Sequence, residues 1–102
     1  MKEIGHWING KLVKGTSGRF ADVYNPATGE VQARVALASP AELAAAIADA
    51  EKAQLIWGAT NPQRRARVMM KFGQLINDNM DKLAELVSVE HGKTLPDARG
   101  DV

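Results

Sequence analysis

The chain has 102 residues and a formal net charge of +1, with 45% hydrophobic and 25% charged residues. Such a balance gives no electrostatic reason to expect nucleic acid or an anionic membrane as partner. The absence of cysteine excludes disulfides, thiolate nucleophiles and cysteine-based metal sites within these residues. No signal-peptide core and no apolar run of membrane-spanning length occurs, so we expect a soluble, cytoplasmic protein.

The first third, residues 1–38, is predicted to form strands and turns. Asn9-Gly10 lies between two short apolar segments and is a strong hairpin signal, because a type I′ turn needs positive φ at both central positions. Residues 20–24 favour a strand through their aromatic and β-branched content, and residues 25–29 favour a turn. We expect no parallel pairing among these strands.

The strand after that turn is predicted to be half-buried. Its apolar residues alternate with polar ones and would share one face: Val31, Ala33, Val35 and Leu37. A period of two with polar partners is typical of a strand that covers a core on one side only.

From residue 39 to 102 the pattern predicts helices. Ser39-Pro40-Ala41-Glu42 is a capping box with proline at the first helical position, and Gly58 is a natural helix stop. A second capping box is expected to begin at Thr60. Apolar stripes predict the buried faces, with Leu43, Ile47, Ala50 and Trp57 in the first helix, Met69, Phe72, Gly73, Ile76 and Met80 in the second, and Leu83, Leu86 and Val87 in a third that ends at Gly92.

A further helix start at Thr94-Leu95-Pro96-Asp97 leaves barely two turns before Val102. Short isolated helices are marginal in water, so we expect this helix to need more chain or a partner. The sequence therefore predicts an incomplete domain.

No catalytic set is evident from the residues. His6 and His91 lie far apart beside turns, and neither Ser17 nor Ser88 has an activating motif. No dinucleotide fingerprint and no phosphate loop is present. A basic cluster, Arg64, Arg65, Arg67 and Lys71, is compatible with nucleic-acid binding, but neighbouring acids favour a solvated helix face.

Glu90 is the one carboxylate that stands out, because it lies in the last turn of an apolar helix, where negative charge opposes the helix dipole. Lys93, His91 or a bound cation would have to compensate it. An exposed glutamate without function is the simpler interpretation.

Five segments in this order closely resemble the start of aldehyde dehydrogenases. They are WINGK at residues 7–11, VYNPATGEV at 23–31, PQRRAR at 62–67, DKLAEL at 81–86 and EHGKT at 90–94. Residues 88–95 and 97–102 look most like the methylmalonate-semialdehyde dehydrogenase branch. The resemblance covers essentially the whole chain and implies an α/β fold, of which this piece is the N-terminal β-hairpin and strands followed by three to four helices.

By this resemblance, residues 1–102 are the N-terminal segment of a coenzyme-binding domain. The parent enzyme would oxidise malonate or methylmalonate semialdehyde with NAD and coenzyme A, in valine and inositol catabolism. Its catalytic cysteine and general-base glutamate would lie beyond residue 102, so we expect no catalytic and no cofactor-binding residue here. The piece should be inactive alone, bind neither cofactor alone, and act as scaffold for the remainder of a homo-oligomeric, tetrameric enzyme.

One local site is also implied by the resemblance. Several aldehyde dehydrogenases bind a structural monovalent cation through backbone carbonyls before the Asn-Pro turn and an acid before the Gly-Lys, which here are Val23, Tyr24 and Glu90. The usual acid is aspartate, so glutamate is a departure. The alternative from another class is a free-standing interaction module that binds a dehydrogenase subunit or another protein.

Overall fold

The computed structural model describes all residues from Met1 to Val102 and has mixed α/β architecture. Five strands come first: β1 (Lys2–Ile4), β2 (His6–Ile8), β3 (Lys11–Val13), β4 (Phe20–Tyr24) and β5 (Val31–Ala36). Four helices follow: α1 (Pro40–Ala59), α2 (Pro62–Asp78), α3 (Met80–His91) and α4 (Leu95–Asp101). The predicted change from strands to helices near residue 39 is confirmed.

The chain forms two compact units. The first contains residues 1–24 and 31–59, and the second contains residues 25–30 and 60–102. Helix α1 therefore belongs with the strands, whereas the Asn-Pro turn belongs with the later helices.

The first unit contains a three-stranded sheet in the order β1-β5-β4. Strand β4 is antiparallel to β5, and β1 is parallel to β5, with Ile4 opposite Val35. The expectation of no parallel pairing is therefore wrong. Strand β1 has only three residues and one apolar side chain, and its partner lies some thirty positions later. A pairing that depends on distant residues leaves no local pattern.

A separate hairpin joins β2 and β3 in the first unit. The strands are antiparallel, with Trp7 opposite Leu12 and Ile8 opposite Lys11. Asn9 and Gly10 form the turn with φ of 53° and 74°. The predicted hairpin is confirmed, because both central residues adopt the positive φ that a type I′ turn requires.

Burial along β5 does not follow strict alternation. Its two buried residues are Ala33 and Ala36, which point to opposite sides of the strand, while Leu37 is exposed. A side chain at Gly15 would come within 2.9 Å of the Ala36 Cβ, so the loop at Gly15 covers that side. The predicted burial of Leu37 is wrong because Leu37 lies just past the end of β5 and on the side opposite Ala36, so this loop does not cover it.

The start of α1 is closed by the predicted capping box. The Glu42 amide donates to Ser39 Oγ at 3.1 Å, and the Ser39 amide donates back to Glu42 Oε1 at 3.2 Å. The other carboxylate oxygen accepts from the Thr16 amide at 3.2 Å. Glu42 thus caps the helix and also ties the loop after β3 to it.

The predicted apolar stripe of α1 does not face its own unit. Leu43 and Ile47 are more than half exposed, and α1 has no buried residue. The hairpin instead shares a cavity with the side of the helix that carries Ala46, Asp49, Ala50 and Ala53, of which only Ala50 belongs to the predicted stripe. Glu42 is on that side, since it bonds the loop after β3, and this turns the larger apolar side chains outward.

In the second unit, the cap of α2 is Asn61 and not Thr60 as predicted. Asn61 Oδ1 accepts from the Gln63 amide at 2.7 Å, and Pro62 is the first helical residue. Asparagine is at least as good a cap as threonine, and the Thr60 carbonyl accepts from Arg65 Nε at 3.1 Å.

Helices α3 and α4 pack on each other through small residues. Ala84 and Ala98 are almost completely buried, and ion pairs join Arg99 to Asp81 and Lys93 to Asp101. The end of α3 at Gly92 is as predicted, and Asn79 separates α2 from α3. The predicted stripes are covered only in part. Gly73, Ile76, Met80, Leu83 and Val87 are half-buried, whereas Met69, Phe72 and Leu86 are each more than half exposed.

Glu42 makes the stability of the chain depend on acid pH. Hydrogen bonds from the Ser39 and Thr16 backbone lower the pKa of Glu42. The unfolded chain therefore binds a proton first, so this stabilisation is complete above the ordinary glutamate pKa and is lost as pH falls through the lowered pKa. We expect the denaturant midpoint to fall over that range, and the fall to be smaller in Glu42→Gln.

The matched control is Glu51→Gln, an exposed position on the same helix. It should keep the full acid dependence of the parent. Part of the slope should survive in Glu42→Gln, because a hydrogen bond and charge from Arg34 also lower the pKa of Glu3. An unchanged acid slope in Glu42→Gln would contradict the assignment.

Candidate functional site

The candidate site begins at the Asn-Pro turn, which is closed by its own hydrogen bonds. Asn25 Oδ1 accepts from the Ala27 amide at 2.9 Å, and the Asn25 carbonyl accepts from the Gly29 amide at 2.7 Å. The Asn25 amide donates to the Glu30 carbonyl at 2.7 Å, and Gly29 adopts a φ of 75°. An asparagine that bonds its own backbone, with glycine at the left-handed position, fixes this turn locally.

The end of α3 lies against this turn within the second unit. Gly92 has a φ of 87° and its amide donates to the Ser88 carbonyl at 2.8 Å. A Cβ built on Gly92 would be 3.1 Å from Pro26 Cγ. Gly92 therefore serves twice, because it ends the helix in the left-handed conformation and lets the backbone approach the proline ring.

The three predicted cation ligands lie on both sides of this turn in sequence. Val23 and Tyr24 end β4 in the first unit, where the pairing with β5 shifts register between them. Glu90 lies in the last turn of α3 in the second unit and is exposed. The Tyr24 carbonyl accepts from Gln32 Nε2 at 3.4 Å. The cation site stays a prediction.

Lys93, one of the groups expected to balance the negative charge of Glu90, forms an ion pair elsewhere. Lys93 forms its ion pair with Asp101 of α4, and Ser88 Oγ donates to the Lys93 carbonyl at 2.8 Å. Lys93 is thus held toward α4 and is not the partner of Glu90. No group of three or more acidic, histidine or cysteine side chains is placed to hold a metal ion. A cation at Glu90 would have to rely on backbone carbonyls.

The serines are engaged in local structure. Ser17 Oγ donates to the Leu37 carbonyl and accepts from the Arg19 amide. Ser88 Oγ donates to the Lys93 carbonyl. Neither serine hydroxyl has a histidine as hydrogen-bond partner. A nucleophile needs a base within hydrogen-bond reach, so these serines do not form a catalytic pair.

His6 and Glu42 form a polar pair that the sequence did not suggest. His6 Nε2 lies 3.7 Å from Glu42 Oε2 within the first unit, and both side chains are largely covered. That nitrogen is buried and has no hydrogen-bond partner. The two residues are 36 positions apart, and only the fold of the hairpin against α1 unites them. No sequence signal could have found this pair.

The basic cluster lies on one exposed helix. Arg64, Arg67 and Lys71 are exposed on α2, and Arg65 is partly covered because it bonds the Thr60 carbonyl. No helix of the chain combines the length and the apolar character that crossing a membrane requires.

The residues present do not fit a dinucleotide. The one connection from a strand directly into a helix, residues 37–39, has no glycine that would let backbone approach a pyrophosphate. The positive end of α1 is closed by the Glu42 carboxylate, which takes the position where an anion would bind.

The matched family is the aldehyde dehydrogenase family, whose model covers residues 12–102. The chain belongs to the aldehyde dehydrogenase family. Its structure matches the N-terminal part of that fold, as the resemblance implied.

Individual relatives point to one branch. A methylmalonate-semialdehyde dehydrogenase structure from Sinorhizobium meliloti, complexed with NAD, is 66% identical with a TM-score of 0.95 over 100% of this chain and 21% of that one. The human acylating, mitochondrial methylmalonate-semialdehyde/malonate-semialdehyde dehydrogenase is 44% identical over 94% of this chain and 18% of its own length. The malonate-semialdehyde dehydrogenase of Pseudomonas aeruginosa is 44% identical over 100% of this chain and 20% of its own. The chain thus spans about a fifth of these relatives.

Replacement of Gly92 by alanine should lower the stability of the chain. Gly92→Ala places a side chain at φ 87° and 3.1 Å from the Pro26 ring, so we expect a loss of about 1–2 kcal/mol in the free energy of unfolding. Urea unfolding followed by circular dichroism would measure it.

Gly73→Ala is the matched control, because Gly73 lies inside α2 and a Cβ there meets nothing within 4 Å. That change should stabilise the helix by about 0.5–1 kcal/mol. Equal effects of the two substitutions would show that the left-handed cap does not constrain Gly92.

Proposed function

We propose that this chain is the N-terminal scaffold of an NAD-dependent, coenzyme A-acylating methylmalonate- or malonate-semialdehyde dehydrogenase. The observation that supports this most is the likeness over the full chain to a methylmalonate-semialdehyde dehydrogenase at 66% identity. The human relative named as acylating supports the use of coenzyme A, and the NAD in the Sinorhizobium structure supports the hydride acceptor.

The proposed reaction requires groups that residues 1–102 do not contain. Oxidation of an aldehyde to an acyl-enzyme needs a thiolate that adds to the carbonyl carbon, and the chain has no cysteine. Transfer of the acyl group to coenzyme A and of hydride to NAD would then take place on the remainder of the enzyme. The proposed setting is valine and inositol catabolism, and the isolated chain is expected to be inactive.

Exposed apolar side chains support a scaffold role. Leu55 and Ile56 of α1 are each more than three-quarters exposed, and Met69, Met70 and Phe72 of α2 are more than half exposed. Large apolar side chains exposed to this degree are unusual on a free monomer and mark an interface on each helix. We propose the remainder of the same polypeptide as its partner, within a homotetrameric enzyme.

A chimera tests the proposal directly. The chain would replace the corresponding fifth of the Pseudomonas aeruginosa enzyme, to which it aligns over its full length. We expect the chimera to reduce NAD with malonate semialdehyde and coenzyme A, and the 102-residue chain alone to give no turnover. NADH absorbance and acyl-coenzyme A formation are the two readouts.

A Pseudomonas enzyme without its N-terminal fifth is the control and should be inactive. A soluble, folded chimera without activity, together with stable binding of the separate chain to the intact enzyme, would support the interaction module instead. Turnover by a purified sample of the chain alone would contradict the scaffold role.

We also propose that Val23, Tyr24 and Glu90 contribute to a structural monovalent cation site in the assembled enzyme. Oxygen-only ligation suits a hard cation, and a cation would offset the unfavourable position of Glu90 at the end of α3. The nearest lysine in sequence is paired elsewhere, which leaves that charge to be balanced.

The measurement is the melting temperature of the active chimera in sodium or potassium chloride against tetramethylammonium chloride at equal ionic strength. The small cations should raise it, and Glu90→Gln should remove the difference. Glu85→Gln, on the same helix and also exposed, should keep it. Equal melting temperatures in all three salts would refute the site.

A further inference from the structure

The turn at Asn9-Gly10 combines features that favour a chemical change of the chain itself. Both residues are exposed, and space around Gly10 is open, since a Cβ built there would meet nothing within 4 Å. The last pair of the β2–β3 ladder is Ile8 with Lys11, so the Gly10 amide belongs to the turn and not to the ladder. This nitrogen is the main-chain group whose attack on Asn9 Cγ would close a five-membered ring.

We propose that Asn9 is a site of spontaneous deamidation, with water as the only co-reactant. The Gly10 amide nitrogen loses its proton to solvent base and attacks Asn9 Cγ. A new N–Cγ bond closes a five-membered imide as the Cγ–Nδ2 bond breaks and ammonia leaves. One water then opens the imide at either carbonyl, which gives aspartate or isoaspartate without any change of oxidation state.

Glycine is what makes the nucleophile accessible. A side chain on the following residue would crowd the attacking nitrogen, and Gly10 has none. The reaction also needs the asparagine ψ to leave the value found in the turn. The hairpin strands have only three residues each, and a two-stranded hairpin of this length is weakly stable by itself, so local opening is inexpensive.

The other four asparagines serve as internal controls. Asn25 and Asn61 each precede a proline, which has no amide N–H to attack. Asn77 lies within α2, where the following amide is part of the helix. Asn79 holds its carboxamide on the Leu75 carbonyl at 2.8 Å. No comparable bond holds the carboxamide of Asn9.

The products would change the hairpin. Either product puts a carboxylate on the rim of the cavity that Asn9 shares with Asp49 of α1, where two negative charges repel. Isoaspartate also adds one main-chain carbon to a two-residue turn, whose length sets the register between Ile8 and Lys11. The modification therefore loosens the strand that presents Trp7. This proposal is independent of the proposed enzyme function.

The test is incubation of the 102-residue chain in native buffer at neutral and mildly alkaline pH, followed by proteolysis and mass spectrometry. The peptide that contains Asn9 should gain the amide-to-acid mass difference, split into two species, and react faster at the higher pH. Peptides with Asn25, Asn61, Asn77 and Asn79 should stay unchanged over the same time.

The matched variant is Asn9→Gln, which keeps the amide but would need a six-membered ring. It should lose the reaction at this position. A parallel incubation in urea shows whether Asn9 deamidates in the folded hairpin or only in the unfolded chain. Retention of the Asn9 amide in native buffer for as long as that of Asn25, or reaction in urea alone, would overturn the proposal.

Discussion

The small amount of apolar surface that the chain buries is the constraint on which the rest of the structure depends. Its buried hydrophobic residues are four alanines, at 33, 36, 84 and 98, and no large side chain is fully buried. Alanine removes little area from water, so each unit gains only a small part of the stabilisation that a packed core supplies. The positions of the helices must then depend to an unusual degree on local hydrogen bonds and on sheet pairing.

Those local bonds are concentrated at helix ends and turns. Glu42 closes α1 and holds a distant loop, Asn61 closes α2, and Gly92 ends α3 beside the Asn-Pro turn. Each satisfies backbone groups that a helix leaves unpaired, and each acts within a few residues of its own position. The N-terminus of α1 is not available to bind a phosphate, because the group that already caps it, the Glu42 carboxylate, is itself an anion.

The features that the sequence predicts are those specified by neighbouring residues, and the features that it misses depend on distant ones. The hairpin, the four helices and the left-handed glycine were predictable because each is specified by neighbours, and so was the family, through short motifs in order. The parallel pairing of β1, the outward side of α1 at Leu43 and the approach of His6 to Glu42 were not. These depend on residues tens of positions apart, for which period and capping contain no information. The proposed cation ligands rest on the resemblance alone.

The exposure of the motif residues bears on what the chain is for. Trp7 and Tyr24, which belong to two of the segments that carry the family resemblance, are 73% and 57% exposed. They therefore contribute little burial to the units that contain them, and the stability of residues 1–102 does not account for large aromatic side chains at these positions. A free-standing module would be expected to use its aromatic residues internally or at one defined binding surface. Large side chains exposed on the hairpin, on α1 and on α2 alike are what a scaffold requires if the rest of an enzyme covers several of its faces.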